Sequence, residues 1–228
     1  MEKRAKFFRY IIANVVLIAM LSVTIVLVST MSFSDSIPTL EPVRRGKSDN
    51  SVGLAFVVDR NDNINELLEI LNQKNVVATF FISGTSIIEN SSHLKQIYQS
   101  GHEIGNRGFF NVDHTQLTAD RIIDEIDLTH KLIYNLIGKA PDLFLPPLYS
   151  YCETTIEVAK ALGYITIVPE IILDGQMTIS NINNILASLE GGEFLAMSPC
   201  IATIEKLPNI INSILEKNFL IETIGELI

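Results

Sequence analysis

The longest apolar stretch of the chain runs from Ile11 to Val28 without a single charge, and Asn14, Ser22 and Thr24 are its only polar members. At 1.5 Å per residue it makes a helix of roughly 27 Å, close to the ~30 Å of a bilayer's hydrocarbon core. The pattern predicts a transmembrane signal-anchor helix over residues 10–30. Lys3, Arg4, Lys6 and Arg9 precede it, so residues 1–9 read as a cytoplasmic basic tail and the remainder as exported. The sequence VSTMSFSDS that follows is a weak cleavage site, which favours an uncleaved anchor over a signal peptide. Residues 31–51 are polar, aperiodic and interrupted by Pro38 and Pro42, and read as an extracytoplasmic linker. A domain is expected over residues 52–228.

Within that domain, short apolar runs alternate with segments of helical period. Strands are expected at Val52–Val58, Val76–Ile82, Gly101–Asn106, Leu143–Leu145, Tyr164–Val168, Glu193–Met197 and Phe219–Ile221. Helices are expected at Ile64–Asn72, Leu94–Gln99, Leu117–Ile137, Thr154–Leu162, Ile179–Leu189 and Ile204–Glu216. Thr118 is a candidate N-cap, and Gly138 stands just past the end of the longest helix. Alternation of this kind means an α/β fold with parallel strands covered by helices. About seven strands allow an open doubly wound sheet or a closed barrel, and periodicity does not separate the two. In both, ligands collect at the C-terminal ends of strands. That directs attention to Asp59, to 107–114, to 147–152, to Pro169 and Glu170, and to 198–200.

Charge narrows the partners. The formal net charge is -9. Four bases and one acid precede the apolar span, which leaves 13 bases and 25 acids, a formal −12, beyond it. A chain so acidic is not expected to bind nucleic acid, which needs clustered Lys and Arg. Cys152 and Cys200 follow strands that open on the same rim, so an exported domain could join them as a disulfide; two separate buried thiols are the alternative. No Cys/His spacing of a structural zinc site occurs.

The segments KNVVATFFISG (74–84), GHEIGN (101–106), LFLPP (143–147) and VAKALGY (158–164) resemble, in order and spacing, the polysaccharide deacetylases (the NodB-homology carbohydrate esterases, family 4). The resemblance implies a distorted (β/α) barrel of about seven parallel strands. It also implies removal of N-acetyl groups from chitin-like or peptidoglycan glycans by a metal held on an aspartate and two histidines, with an aspartate base and a late histidine acid. Matched position by position, those groups are missing. Base and metal-ligand carboxylates fall on Val57 and Val58, the histidine pair on Arg107 and Asn111, and the late histidine on Ser198. The arginine before the paired prolines falls on Leu145, and the tyrosine after them on Leu148.

Valine has no donor atom, and a permanently protonated guanidinium repels a divalent ion. Hydrolysis by this route needs a metal-bound water and a base near neutrality, and neither has a residue at its place. No metal or other cofactor is therefore expected. The reading is a membrane-anchored pseudoenzyme at a bacterial cell membrane, single-pass, with its domain extracytoplasmic. It would bind cell-wall glycan or a cell-envelope protein in wall or spore-envelope metabolism. The alternatives are an active hydrolase rebuilt on Asp59 and His114, and a purely structural interaction module. Candidate ligand-binding residues are Asp59, Arg107, Asn111, His114, Tyr149 and Tyr151. Arg107 could instead be an ion-pair partner of Asp59 or Asp113, and His114 a loop histidine with Asp59 and Asp113 as solvated or capping acids. His102 reads as structural.

Overall fold

The computed structural model describes residues 40–59 and 63–228. The expected transmembrane helix and the first part of the linker lie outside these residues. No helix among the described residues is long and apolar enough to cross a membrane.

The strands are β1 (Ser51–Val58), β2 (Thr79–Ile82), β3 (Glu103–Asn106), β4 (Leu143–Phe144), β5 (Ile165–Thr166), β6 (Ile171–Ile172), β7 (Phe194–Met197) and β8 (Leu220–Glu222). Seven of them lie in the order β5-β4-β3-β2-β1-β7-β6, all pairs parallel, as a curled half-barrel. The eighth, β8, pairs with the start of β1, Ser51 opposite Leu220 and Gly53 opposite Glu222. Gly53 also pairs with Phe194 of β7, so β8 occupies the β2 side of β1. There it takes the place that β2 leaves by starting only at the level of Ala55.

Every residue of β1 is buried, which is why its sequence is an unbroken apolar run rather than an alternating one. One face, with Leu54, Phe56 and Val58, packs under the helices; the other, with Ala55 and Val57, packs with Phe81, Leu145 and Phe194 inside the curl. Gly105 of β3 is required there by space: a Cβ would stand 2.4 Å from the Phe81 ring.

The helices are α1 (Ile64–Lys74), α2 (Gly84–Glu89), α3 (Ser91–Gln99), α4 (Ala119–Ile137), α5 (Glu153–Ala161), α6 (Ile179–Ala187), α7 (Ile201–Ile204), α8 (Leu207–Glu216) and α9 (Ile224–Leu227). Thr118 caps α4 by accepting from Arg121 N, and Gly138 ends it at φ 70, as their positions in the sequence suggest. The short α2, α7 and α9 and the two-residue β6 carry too little periodicity to be read from sequence. The expected strand Tyr164–Val168 shrinks to Ile165–Thr166; Ile167 N still donates to Phe144 O of β4, and Ile167 also forms a parallel bridge to Val43 on its outer edge.

That pairing corrects the expected linker. The compact unit begins at Leu40, ahead of Val52. Val43 N donates to Thr166 O at 2.8 Å and Val43 O accepts from Val168 N at 3.0 Å. Gly46 N donates to Gly192 O at 2.7 Å, and Lys47 N to Leu227 O at 2.8 Å. Residues 40–50 are therefore a strap that runs from the β5 edge to the turn before β7. Its backbone N–H and C=O groups pair with the edges it crosses instead of with solvent.

Candidate functional site

Arg107 follows β3 directly, and its backbone N–H is held by Ile82 O at the end of β2. This puts its Cα at the rim of the half-barrel, beside the end of β1. Its guanidinium is buried, forms an ion pair with Asp59 through Nη1, and donates to Asn111 Oδ1 through Nη2 at 3.2 Å. The Nε–H has no partner among the described residues. Tyr149 lies close enough to feel both charges, and burial pushes its phenol above the ordinary value. Asp59, Arg107, Asn111 and Tyr149 are thus one cluster on the strand-end face. The sequence reading left open whether Arg107 faces a ligand or an acid; it faces Asp59.

Two loops frame the cluster. In the first, Asn106 Oδ1 accepts from Gly108 N at 2.8 Å, while its Nδ2 donates to Ile126 O and to the Tyr164 hydroxyl. Glu125 of α4, with 1% of its side chain exposed, accepts from Phe109 N and Phe110 N and pairs with Arg121. Sequence reasoning missed Glu125. Its signal is an acid on the face of α4 that also carries the buried Ile122, Ile126, Thr129 and Ile133. Asp113 accepts from Thr115 and, across to the second loop, from Ser150 Oγ at 2.7 Å. Those hydrogen bonds from Ser150 and Thr115 hold its carboxyl below the usual range.

The second loop turns sharply, with Leu148 and Tyr149 both at φ 56, a region that non-glycine residues enter at a cost of about 1–2 kcal/mol each. Leu148 is thereby thrust outward and half exposed, whereas Leu145 is fully buried.

His114 is a loop histidine, but one enclosed beneath its loop. It is 0% exposed, and its ring lies stacked 5.7 Å from that of Phe144. Neither ring nitrogen has a hydrogen-bond partner among the described residues. Burial lowers its pKa to about 4, against a smaller raising effect of Asp113. Among the remaining candidates, the Tyr151 hydroxyl accepts from Arg44 of the strap at 2.5 Å, so it belongs to the strap contact. Val57 and Val58 are core residues, and Ser198 is exposed.

The candidate disulfide between Cys152 and Cys200 is not formed. Cys152 and Cys200 are free, each at the N-cap of a different helix and each within hydrogen-bonding reach of a threonine, Thr155 at 3.4 Å and Thr203 at 3.2 Å. Among the described residues, no group of three His, Cys, Asp or Glu side chains could hold a metal ion.

A parallel α/β half-barrel whose rim carries an arginine pinned to an aspartate defines a glycan-deacetylase scaffold without the family's chemistry at that point. The polysaccharide deacetylase family pattern matches residues 44–167, more than half of the chain, and the chain belongs to that family. It is 31% identical over 194 residues to the uncharacterized protein YlxY of Bacillus subtilis, covering 82% of this chain and 60% of that protein. It is 35% identical over 103 residues to the peptidoglycan-N-acetylmuramic acid deacetylase PdaA of the same organism, covering 45% and 39%. The chain therefore spans less than two thirds of both relatives. Its fold matches the crystal structure of BA3943 from Bacillus anthracis, described as a CE4 family pseudoenzyme, with a TM-score of 0.76 and 25% identity over 82% of this chain and 68% of that one.

Proposed function

We propose that this chain is a catalytically inactive polysaccharide deacetylase homologue that binds cell-wall glycan, or a cell-envelope protein bearing on it, at the ends of its strands. Its N-terminal segment would hold it at a bacterial membrane with the domain outside. One observation carries the reading: the Arg107 guanidinium sits buried on the rim and is charge-paired to Asp59, at the position where the family resemblance expects a metal-binding histidine. A divalent ion placed there would meet a fixed positive charge. The half-exposed Phe110 and Leu148, with partly buried Tyr149 and exposed Asn111, supply the mixture of apolar surface and polar edges that suits a sugar face.

A hydrolase rebuilt on Asp59 and His114 is disfavoured by the same geometry. Asp59 faces Arg107, and both His114 nitrogens are enclosed under the loop. The structural-module alternative draws its support from the burial of Val57, Val58 and Leu145.

Metal analysis and deacetylation of N-acetylglucosamine oligomers by the purified full chain test the proposal. Neither stoichiometric zinc nor turnover is expected; finding both would overturn it. For the binding role, Tyr149→Ala should weaken retention on insoluble peptidoglycan, and unchanged retention would remove Tyr149 from the contact.

A further inference from the structure

The loop that carries Tyr149 is held in a conformation that its own bonds do not select. Leu148 and Tyr149 both stand at φ 56, and adjacent left-handed residues other than glycine persist only where their surroundings over-determine them. Tyr149 N donates to Pro146 O and Ser150 N to Pro147 O, both at 3.0 Å. A type I turn would make the first of these bonds with Leu148 at negative φ. The bond therefore closes the turn without fixing its hand.

Contacts from outside the loop supply what is missing. On one side, Ser150 Oγ donates to Asp113 of the first loop at 2.7 Å. On the other, the strap reaches the loop through two successive residues. Arg44 Nη2 donates to the Tyr151 hydroxyl at 2.5 Å, and its guanidinium carbon stands 6.0 Å from the centre of that ring. Val43 packs against the same apolar cluster as Tyr149, the one that holds Val57, Leu145 and Ile167. Arg44 thus steadies Tyr151, and Val43 helps to close the cluster that receives Tyr149.

We propose that the strap is a latch for the candidate site. Docking of residues 40–50 holds the loop 147–152 in its left-handed form, with Arg44 as the positioning residue. Release of the strap lets the loop relax and withdraws Tyr149 from the rim. That the rim binds glycan rests on the function proposed above; the coupling of strap to loop does not. Coupling between two sites is reciprocal, so a ligand seated on Tyr149 would in turn tighten the strap.

Hydrogen exchange of the full chain tests the latch. In Arg44→Ala, the amides of Tyr149 and Ser150 should exchange roughly tenfold faster while those of β1 and β2 keep their protection. Gly191→Ala acts at the far end of the strap, where a Cβ would meet the Asp49 backbone, and should accelerate the same two amides without altering any residue of the loop. Tyr151→Phe keeps the ring beside the guanidinium but loses the acceptor oxygen, and should fall between the parent and Arg44→Ala. Arg44→Lys, which restores a donor, should recover part of the protection. Retention on insoluble peptidoglycan should fall in step with the exchange rates across these variants. Unchanged exchange at Tyr149 and Ser150 in either Arg44→Ala or Gly191→Ala would overturn the latch. Faster exchange with unchanged retention would uphold the latch and remove the loop from the glycan contact, which separates failure of one reading from failure of the other.

Discussion

Arg107 is fixed from three directions: its backbone by β2, one guanidinium nitrogen by Asp59 and another by Asn111. A planar fork is needed to reach both side chains, and a lysine ammonium cannot reproduce it. Arg107→Lys is therefore expected to lower stability by about 1 kcal/mol and Arg107→Ala by about 1–2 kcal/mol, read from urea midpoints. The values stay below those of a fully buried pair because Asp59 is 41% exposed and water can take over its solvation. Glu125 should matter comparably. Glu125→Ala leaves Phe109 N and Phe110 N without their acceptor, for a loss of about 2 kcal/mol. Faster hydrogen exchange at those two amides would locate the effect in the loop. The chemistry of these residues was readable from sequence, but their partnerships were not. That Arg107 would meet an acid is a matter of charge; that the acid is Asp59 and not Asp113 depends on Asp113 being turned toward Thr115 and Ser150.

At the scale of elements, the strap and the last helix are what the sequence reading misjudged. Residues 40–50 look like a tether because they lack periodicity, yet they are docked through backbone hydrogen bonds, which leave no trace in a hydropathy pattern. Gly191 marks the contact: a Cβ there would stand 2.1 Å from the Asp49 carbonyl carbon. Gly191→Ala should lift the strap, seen as lost exchange protection at Val43 and Gly46 and new proteolysis near Arg44, while β1–β4 stay protected. In α9, the first N–H groups are met by Thr79 Oγ1 and by the Glu103 carboxylate, and burial raises the Glu103 pKa against the hydrogen bonds it accepts from Thr79 Oγ1 and Gly225 N. A four-residue helix has no amphipathic signature of its own. The longer elements, α1, α4 and α8, were legible because each repeats its apolar positions over several turns.

For the whole molecule, two buried neutral histidines contribute to the response to acid. His102 and His114 have folded pKa values of about 4, against an unfolded value near 6.5. Between pH 6.5 and 4 the unfolded chain binds protons that the folded chain refuses, so stability is present in full above pH 6.5 and is lost as pH falls through that window. The combined loss is on the order of several kcal/mol, partly opposed by Glu103, whose raised pKa acts the other way. His114→Leu, which places an apolar side chain against Phe144, should flatten the acid limb of the denaturation profile and leave stability near pH 8 the same or higher. A profile as steep as that of the parent chain would show that His114 does not titrate as its burial implies.

The sequence by itself determined what one strand or helix determines: the alternating β and α elements, the all-apolar β1, the caps of α4, and the absence of metal-binding side chains at Val57, Val58, Arg107 and Asn111. These follow from local periodicity and side-chain chemistry, which do not require knowing what lies opposite. The tertiary structure alone decided what depends on distant partners: the engagement of Arg107 with Asp59, the burial of His114 under its loop, the docking of the strap, and the separation of Cys152 from Cys200. The reason is the same in each instance. A side chain's charge and shape are its own, but its solvation and its hydrogen-bond partners belong to whichever residues the fold brings beside it.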